Sequence, residues 1–262
     1  MKILMVSDYY VETPQDKHIM RLFKKWGIQA KVVYYQDLVL QFDKLPKLFS
    51  ISGEDLTDAE YIITLSEVSD NVQQVMEKLY DMGYNTLDNP YEYRQFSKIF
   101  SRASIARKLG YNIPKMYAFS RIDELARIVD YVGFPAKLSV GGRSIEINST
   151  LDVFTLSKLS SDMVGRNIEM VVTETLDIPS EDIFTCNFVD GEPVSTVPLN
   201  PSMVPFFQKI LDLVNLRLVT ITLGICDNQI YLLRLTPFAE TILDWELYIE
   251  HVSKLMLNDI NK

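Results

Sequence analysis

The feature that most constrains this chain is a change of grammar near its middle. In the first half, short apolar runs alternate with amphipathic helical stretches: KILMVS, then a helical pattern from about Pro14 to Trp26, then AKVVYY, DAEYIITLS and a helix from about Asn71 to Met82 stopped by Gly83. Strands separated by helices cannot pair as hairpins, so this order predicts a parallel α/β sheet. In the second half the runs IEMVVTETL, IFTCNFVDGEPVSTV and VTITLGICDNQIYLLRL follow one another closely, with Asp190-Gly191 and Asp227-Asn228 between paired segments. Those dipeptides tolerate the positive φ angles of tight turns, so antiparallel hairpins are expected. The fold class is therefore α/β, becoming α+β toward the C-terminus.

TLDNP punctuates the chain at Thr86 to Pro90, which places the end of a first domain at residue 89 and a second domain at 90–262. An amphipathic helix is expected from Tyr91 to Leu109 with Gly110 as its stop. Further helices are expected at Arg121 to Val132, Pro205 to Val214 and Trp245 to Asp259, with FPAKLSV as a strand entering GGRS. There is no internal repeat and no low-complexity tract.

Composition removes several functions. The net charge of −9 argues against general nucleic-acid binding, which needs clustered cations. A local exception is Arg94, Lys98, Arg102, Arg107 and Lys108, whose spacing gathers much of the charge on one side of a helix. No apolar run approaches the roughly 20 residues of a membrane span, and Met1 to Ser7 reads as a strand rather than a signal peptide, so a cytoplasmic protein is expected. The two cysteines, Cys186 and Cys226, lie in strand-like runs and read as buried thiols. The two histidines, His18 and His251, sit far apart on expected helices, which disfavours a histidine metal site or a triad.

The least ordinary stretch is YLLRLTPFAE, Tyr231 to Glu240, where one guanidinium interrupts an apolar strand. A charge there is costly unless it is paired or faces a ligand. Strand alternation puts Arg234 and Thr236 on one face and Leu233 and Leu235 on the other.

The ordered series of α/β lobe, helix with Lys98, GYNIPK, helix, GFPAKLS, GGRS, VVTETL, an acidic hairpin strand and a final hairpin ending LLRLTP resembles the ATP-grasp superfamily, nearest its RimK-like carboxylate–amine ligases. The resemblance covers most of the chain. It implies a pre-ATP-grasp domain at 1–89 and an ATP-grasp domain at 90–262, with a central lobe at about 110–172 and a C-terminal lobe at about 173–262. It implies that Lys98 and Lys137 contact nucleotide phosphates and that Gly141, Gly142, Arg143 and Ser144 form the glycine-rich loop above them. Glu174 would hold ribose, the backbone of Thr175 and Leu176 would recognise adenine, and Asp182 would occupy an acidic position on the next strand. Each has a plainer reading: surface lysines, a β-turn at Gly141-Gly142, and a turn cap at Asp182.

The family's magnesium ligands are an acidic residue on the penultimate strand and a glutamate and asparagine on the last. Their places fall to Thr222, Arg234 and Thr236, which are poor ligands for a hard cation. The insertion that carries further basic residues in the family is contracted to LNPSMVP. The resemblance thus implies ATP as ligand while the residues argue against magnesium. Arg234 would meet a phosphate directly, or pair with Asp182 or Glu174. Three functions stay open: a divergent protein that binds a nucleotide or small anion, alone, as a homodimer or with a protein partner; a working ligase with metal ligands elsewhere, such as Glu240 or Asp227; and a scaffold without ligand.

Overall fold

The structure, a computed structural model, describes residues 1–42, 44, 46–65, 69–96, 99–140, 143–159, 170–195, 198–237, 242 and 244–260. The chain divides into two compact units. The first comprises Met1–Gly110, Phe184–Leu223 and Arg234–Lys262; the second comprises Tyr111–Ile183 and Gly224–Leu233.

The first unit begins with β1 (Lys2–Ser7), α1 (Pro14–Lys25) and β2 (Gln29–Tyr34). Helix α1 starts where the sequence dictates: Thr13 and Asp16 form a reciprocal capping box, Pro14 opens the first turn, and Lys24 and Lys25 face the negative end of the dipole. Strands β3 (Leu38–Gln41) and β4 (Lys47–Ser50) form an antiparallel pair. No strand is expected there from sequence, because Asp43, Lys44 and Pro46 break the apolar run between them. Next come β5 (Tyr61–Ile63), α2 (Asp70–Asp81), α3 (Pro90–Phe96) and α4 (Ile99–Leu109). Strands β2, β1 and β5 form the expected parallel sheet, in that order. The single helix expected over Tyr91–Leu109 corresponds to α3 and α4, with residues 97 and 98 outside the described residues.

The second unit contains β6 (Met116–Phe119), α5 (Leu125–Val132), β7 (Ala136–Val140), β8 (Arg143–Ile147), α6 (Thr150–Leu159) and β9 (Met170–Glu174). Its sheet, β6-β9-β7-β8, is antiparallel throughout. Ala136, Leu138, Ile147 and Val172 on the sheet and Leu125, Ile128, Val129, Val132 and Val153 on the helices build its core.

The chain continues with β10 (Ile183–Val189), β11 (Glu192–Val194), α7 (Val204–Leu211), β12 (Leu218–Cys226), β13 (Gln229–Thr236) and α8 (Trp245–Ile260). Their sheet has the order β11-β10-β12-β13. Both expected turns are present, with positive φ at Asp190 and Gly191 and at Asp227 and Asn228. Cys186 is buried, and burial pushes its thiol up to about 12; Cys226 is only partly covered.

One apolar core joins distant segments of the first unit: Ile3, Leu22, Phe23 and Leu87 pack with Val189, Leu218, Tyr248, Val252 and Met256. A polar cluster lies in the same unit. Tyr61 donates to Asp259 at 2.9 Å, and the Arg217 guanidinium binds both Asp259 and Asp190. Asp88, within TLDNP, accepts the backbone N–H groups of Arg217 and Leu218. Among the described residues no helix is long and apolar enough to cross a membrane.

Candidate functional site

In the second unit, strand alternation turns Lys137 out of the apolar face. Ala136 and Leu138 are buried and Lys137 is exposed, opposite Glu146 on β8 and Thr173 on β9. Ser139 and Ser144 are also opposite each other on this face, with hydroxyls 3.0 Å apart. Lys137, Ser139, Ser144, Glu146 and Thr173 thus form a polar face on the side of the sheet away from its core.

The GGRS segment differs from a four-residue loop. Arg143 pairs with Val140 and Ser144 with Ser139, so both belong to the β8 ladder and only Gly141 and Gly142 connect the strands. Those two glycines, Lys98 and Glu240 lie outside the described residues. Pairing reaches Arg143 because the period-2 register of β7 and β8 keeps Ile145 and Ile147 in step with Leu138 and Ala136.

At the end of β9 the Glu174 carboxylate accepts the Lys115 backbone N–H at 3.0 Å and lies 3.6 Å from the Lys115 ammonium. Glu174 is thereby anchored to the GYNIPK segment. The backbone N–H of Thr175 bonds to the Pro135 carbonyl at 3.1 Å, and the side chains of Thr175 and Leu176 are exposed and partly exposed. Asp182 closes the short 3-10 turn Ser180–Asp182, its N–H bonded to the Pro179 carbonyl.

In the first unit, Arg234 is exposed on β13 between the buried Leu232 and Leu235. Its charge acts on a second cation. Burial first, and then the charge of Arg234, lower the pKa of Arg102 on α4 to about 10. Arg102 is the site residue that the sequence reading leaves unassigned. Its signal was the basic stretch from Arg94 to Lys108, read there only as a charged helix side.

The fold also separates Thr222 from Arg234. A Cβ added at Gly224 would meet the Leu233 side chain at 2.8 Å, so Gly224 and Leu233 share a face of the β12–β13 hairpin. By alternation Thr222 lies with Gly224, and Arg234 lies opposite Leu233's side. Thr222 instead places its hydroxyl 3.0 Å from that of Thr185 on β10. The β12 residues that share Arg234's face are Ile221 and Leu223, both fully buried and apolar. These positions offer magnesium no carboxylate, and the Arg234 guanidinium is no ligand for a cation. Among the described residues no group of three His, Cys, Asp or Glu side chains could hold a metal.

No model of a known protein family matches the chain, and a search of curated proteins finds no match. Solved structures match over their whole length. The RimK-domain ATP-grasp protein of Sphaerobacter thermophilus aligns with a TM-score of 0.74 at 8% identity, covering 98% of this chain and 100% of that one. The macrocyclase MdnC of Microcystis aeruginosa, bound with precursor peptide MdnA, aligns with a TM-score of 0.68 at 9% identity over 98% and 100% of the two chains. The ATP-grasp ligase PsnB, complexed with minimal precursor, Mg and ADP, aligns with a TM-score of 0.65 at 12% identity over 99% and 98%. Likeness at such identities speaks for architecture and not for activity. From its first strand to its last helix, this chain has the mixed α/β fold of the ATP-grasp ligases.

Proposed function

We propose that this chain is a divergent ATP-grasp protein that binds a nucleotide or a small anion without magnesium and does not carry out ordinary magnesium-dependent carboxylate–amine ligation. The observation that carries this reading is the residue set on the last strand: Arg234 is exposed on β13 with Thr236 on the same face, and neither offers the carboxylate that a hard cation needs. The Arg234 guanidinium can meet a phosphate through charge-assisted, bidentate hydrogen bonds, and the charge of Arg102 acts in the same sense. Arg234 then supplies the charge that a metal supplies in the family, and Thr236 follows it on the same face.

The resemblance assigns phosphate contacts to Lys98, Lys137 and the Gly141–Ser144 segment, and adenosine contacts to Glu174, Thr175 and Leu176. The exposed position of Lys137 on a polar sheet face supports its part. The domain scheme of 1–89 and 90–262 belongs to the same proposal, as do a cytoplasmic setting and a protein partner or second copy.

A second reading, a working ligase that activates a carboxylate as an acyl phosphate and passes it to an amine, is favoured by the full-length likeness to PsnB, a ligase complexed with Mg and ADP. Calorimetric titration with ATP, with and without magnesium, separates the two. The divergent reading expects binding without magnesium, weakened by about 1.5–3 kcal/mol in Arg234→Ala. Magnesium-dependent binding, with phosphate release when an acid and an amine are supplied, would establish the ligase instead. Absence of binding under both conditions would leave a scaffold.

A further inference from the structure

The C-terminal edge of the first unit's parallel sheet carries features that the nucleotide reading does not use. Strand β1 lies between β2 and β5, so the chain leaves it to one side through α1 and later returns to its other side. Open α/β sheets bind ligands at the carboxyl ends of strands where the order reverses in this way. Here that edge carries an uncommon concentration of aromatic surface. Tyr9, Tyr10 and Val11, which follow β1, are each more than two-thirds exposed. The Tyr10 ring packs edge-on against Tyr34 at 5.5 Å, and Tyr34 packs edge-on against Tyr35 at 5.0 Å. Gln36 and Asn71 both donate to the Tyr35 hydroxyl, at 2.8 Å and 3.3 Å, and fix that ring.

The electrostatics of the edge select the ligand's sign. Anion binding at helix N-termini uses free amides, and side-chain caps already take part of those of α1 and α2. Thr13 and Asp16 cap α1 reciprocally, Ser69 accepts the Val72 N–H, and Asp8 accepts both the N–H and the hydroxyl of Ser69. Two carboxylates act on the ring cluster. The Tyr34 phenol is raised by desolvation, by Tyr35, and by the charges of Asp37 and Asp8. The exposed Tyr10 ring, packed on the partly exposed Tyr34 and within range of carboxylates, attracts an organic cation through both quadrupole and charge.

We infer that the edge formed by Tyr10, Tyr34 and Tyr35 beside Asp8 and Asp37 binds the ammonium or guanidinium group of a basic side chain presented by a polypeptide partner. A polypeptide, rather than a free amine, is indicated by Tyr9 and Val11, whose exposed apolar surfaces flank the ring cluster and would cover the residues next to the bound one. The site lies wholly in the first unit and does not depend on Arg234 or on any nucleotide.

The test uses the full chain and three blocked probes: acetyl-Gly-Lys-Gly-amide, the same peptide with uncharged norleucine in place of lysine, and n-butylamine. Ring resonances of the tyrosines are followed by NMR during titration. Binding is expected for the lysine peptide, with shifts at Tyr10 and Tyr34, and Tyr10→Leu should weaken it about two- to fivefold while Tyr10→Phe retains it. Tyr10 is a surface residue, so neither change threatens folding. Equal binding of the norleucine peptide would overturn the cation site, and equal binding of n-butylamine would overturn its assignment to a polypeptide. No shift with any probe at its highest soluble concentration would overturn both. ATP affinity in Tyr10→Leu should equal that of the parent, which keeps this result separate from the nucleotide proposal.

Discussion

At Arg234 the two-residue period of a strand decides what a charge can meet. The residue shares its face with Ile221, Leu223 and Thr236, while Thr222 looks the other way toward Thr185. Restoring the family's metal chemistry should follow the same geometry. Arg234→Glu with Thr236→Asn is expected to shift ATP binding toward magnesium dependence, and adding Thr222→Asp should leave that dependence unchanged, measured by calorimetry at fixed salt. A further increase on adding Thr222→Asp would refute the face assignment. Gly224 supplies a steric prediction on the same hairpin. The added Cβ of Gly224→Ala would press on Ile178 and Leu233, both at 2.8 Å through terminal methyls that can move. The expected loss is about 1 kcal/mol in urea denaturation, the low end for overpacking. Arg234 was legible in sequence as a costly charge, but its effect on Arg102 was not, because the two are 132 positions apart in the chain and only folding brings their charges into range.

At the level of elements, local chemistry was the better guide where it was strong. The Thr13-Pro14-Asp16 start of α1 and the Asp190-Gly191 and Asp227-Asn228 turns are written in side chains that act within a few residues. Asn228 illustrates the energetics: its φ of 58° suits asparagine or glycine and penalises β-branched residues. Asn228→Val should cost about 1–2 kcal/mol in chemical denaturation, whereas Asn228→Gly should cost nothing measurable. The β3–β4 pair was not legible, since its stability depends on Leu48, which is fully buried in a core with Leu4, Ile62 and Leu79 from β1, β5 and α2. In GGRS the strand ladder, set by the Ala136–Ile147 and Leu138–Ile145 register, claims Arg143 and Ser144 from the expected loop.

For the whole molecule, the segment TLDNP is a structural joint rather than only punctuation. Asp88 is part-buried, with its carboxyl withdrawn from solvent, and accepts two backbone N–H groups at the start of β12; desolvation outweighs those bonds and the Arg217 charge to raise its carboxyl to about 7. The folded protein therefore retains a proton that the unfolded chain, at 3.8, releases. Stability from this group is fully present below about pH 4 and falls as pH rises to about 7, by up to about 4 kcal/mol. Urea unfolding between pH 4 and pH 8 should show that slope, and Asp88→Asn should flatten it; an unchanged slope would assign it elsewhere. The neighbouring cluster predicts that Asp259→Ala, which leaves Arg217 and the Tyr61 hydroxyl without their shared acceptor, costs about 2–3 kcal/mol. By itself the sequence determined the alternation of strands and helices, the hairpin turns, the outward turn of Lys137 and the absence of acidic ligands at Arg234, Thr236 and Thr222. Each of these depends on residue type and short-range periodicity, which a linear chain carries in full. Only the tertiary structure decided that a single core draws on both ends of the chain, that the charge of Arg234 acts on Arg102, and that tyrosines from β2 and the segment after β1 form one surface. Those pairings join residues far apart in sequence, and they exist only once burial of apolar surface has fixed which faces meet.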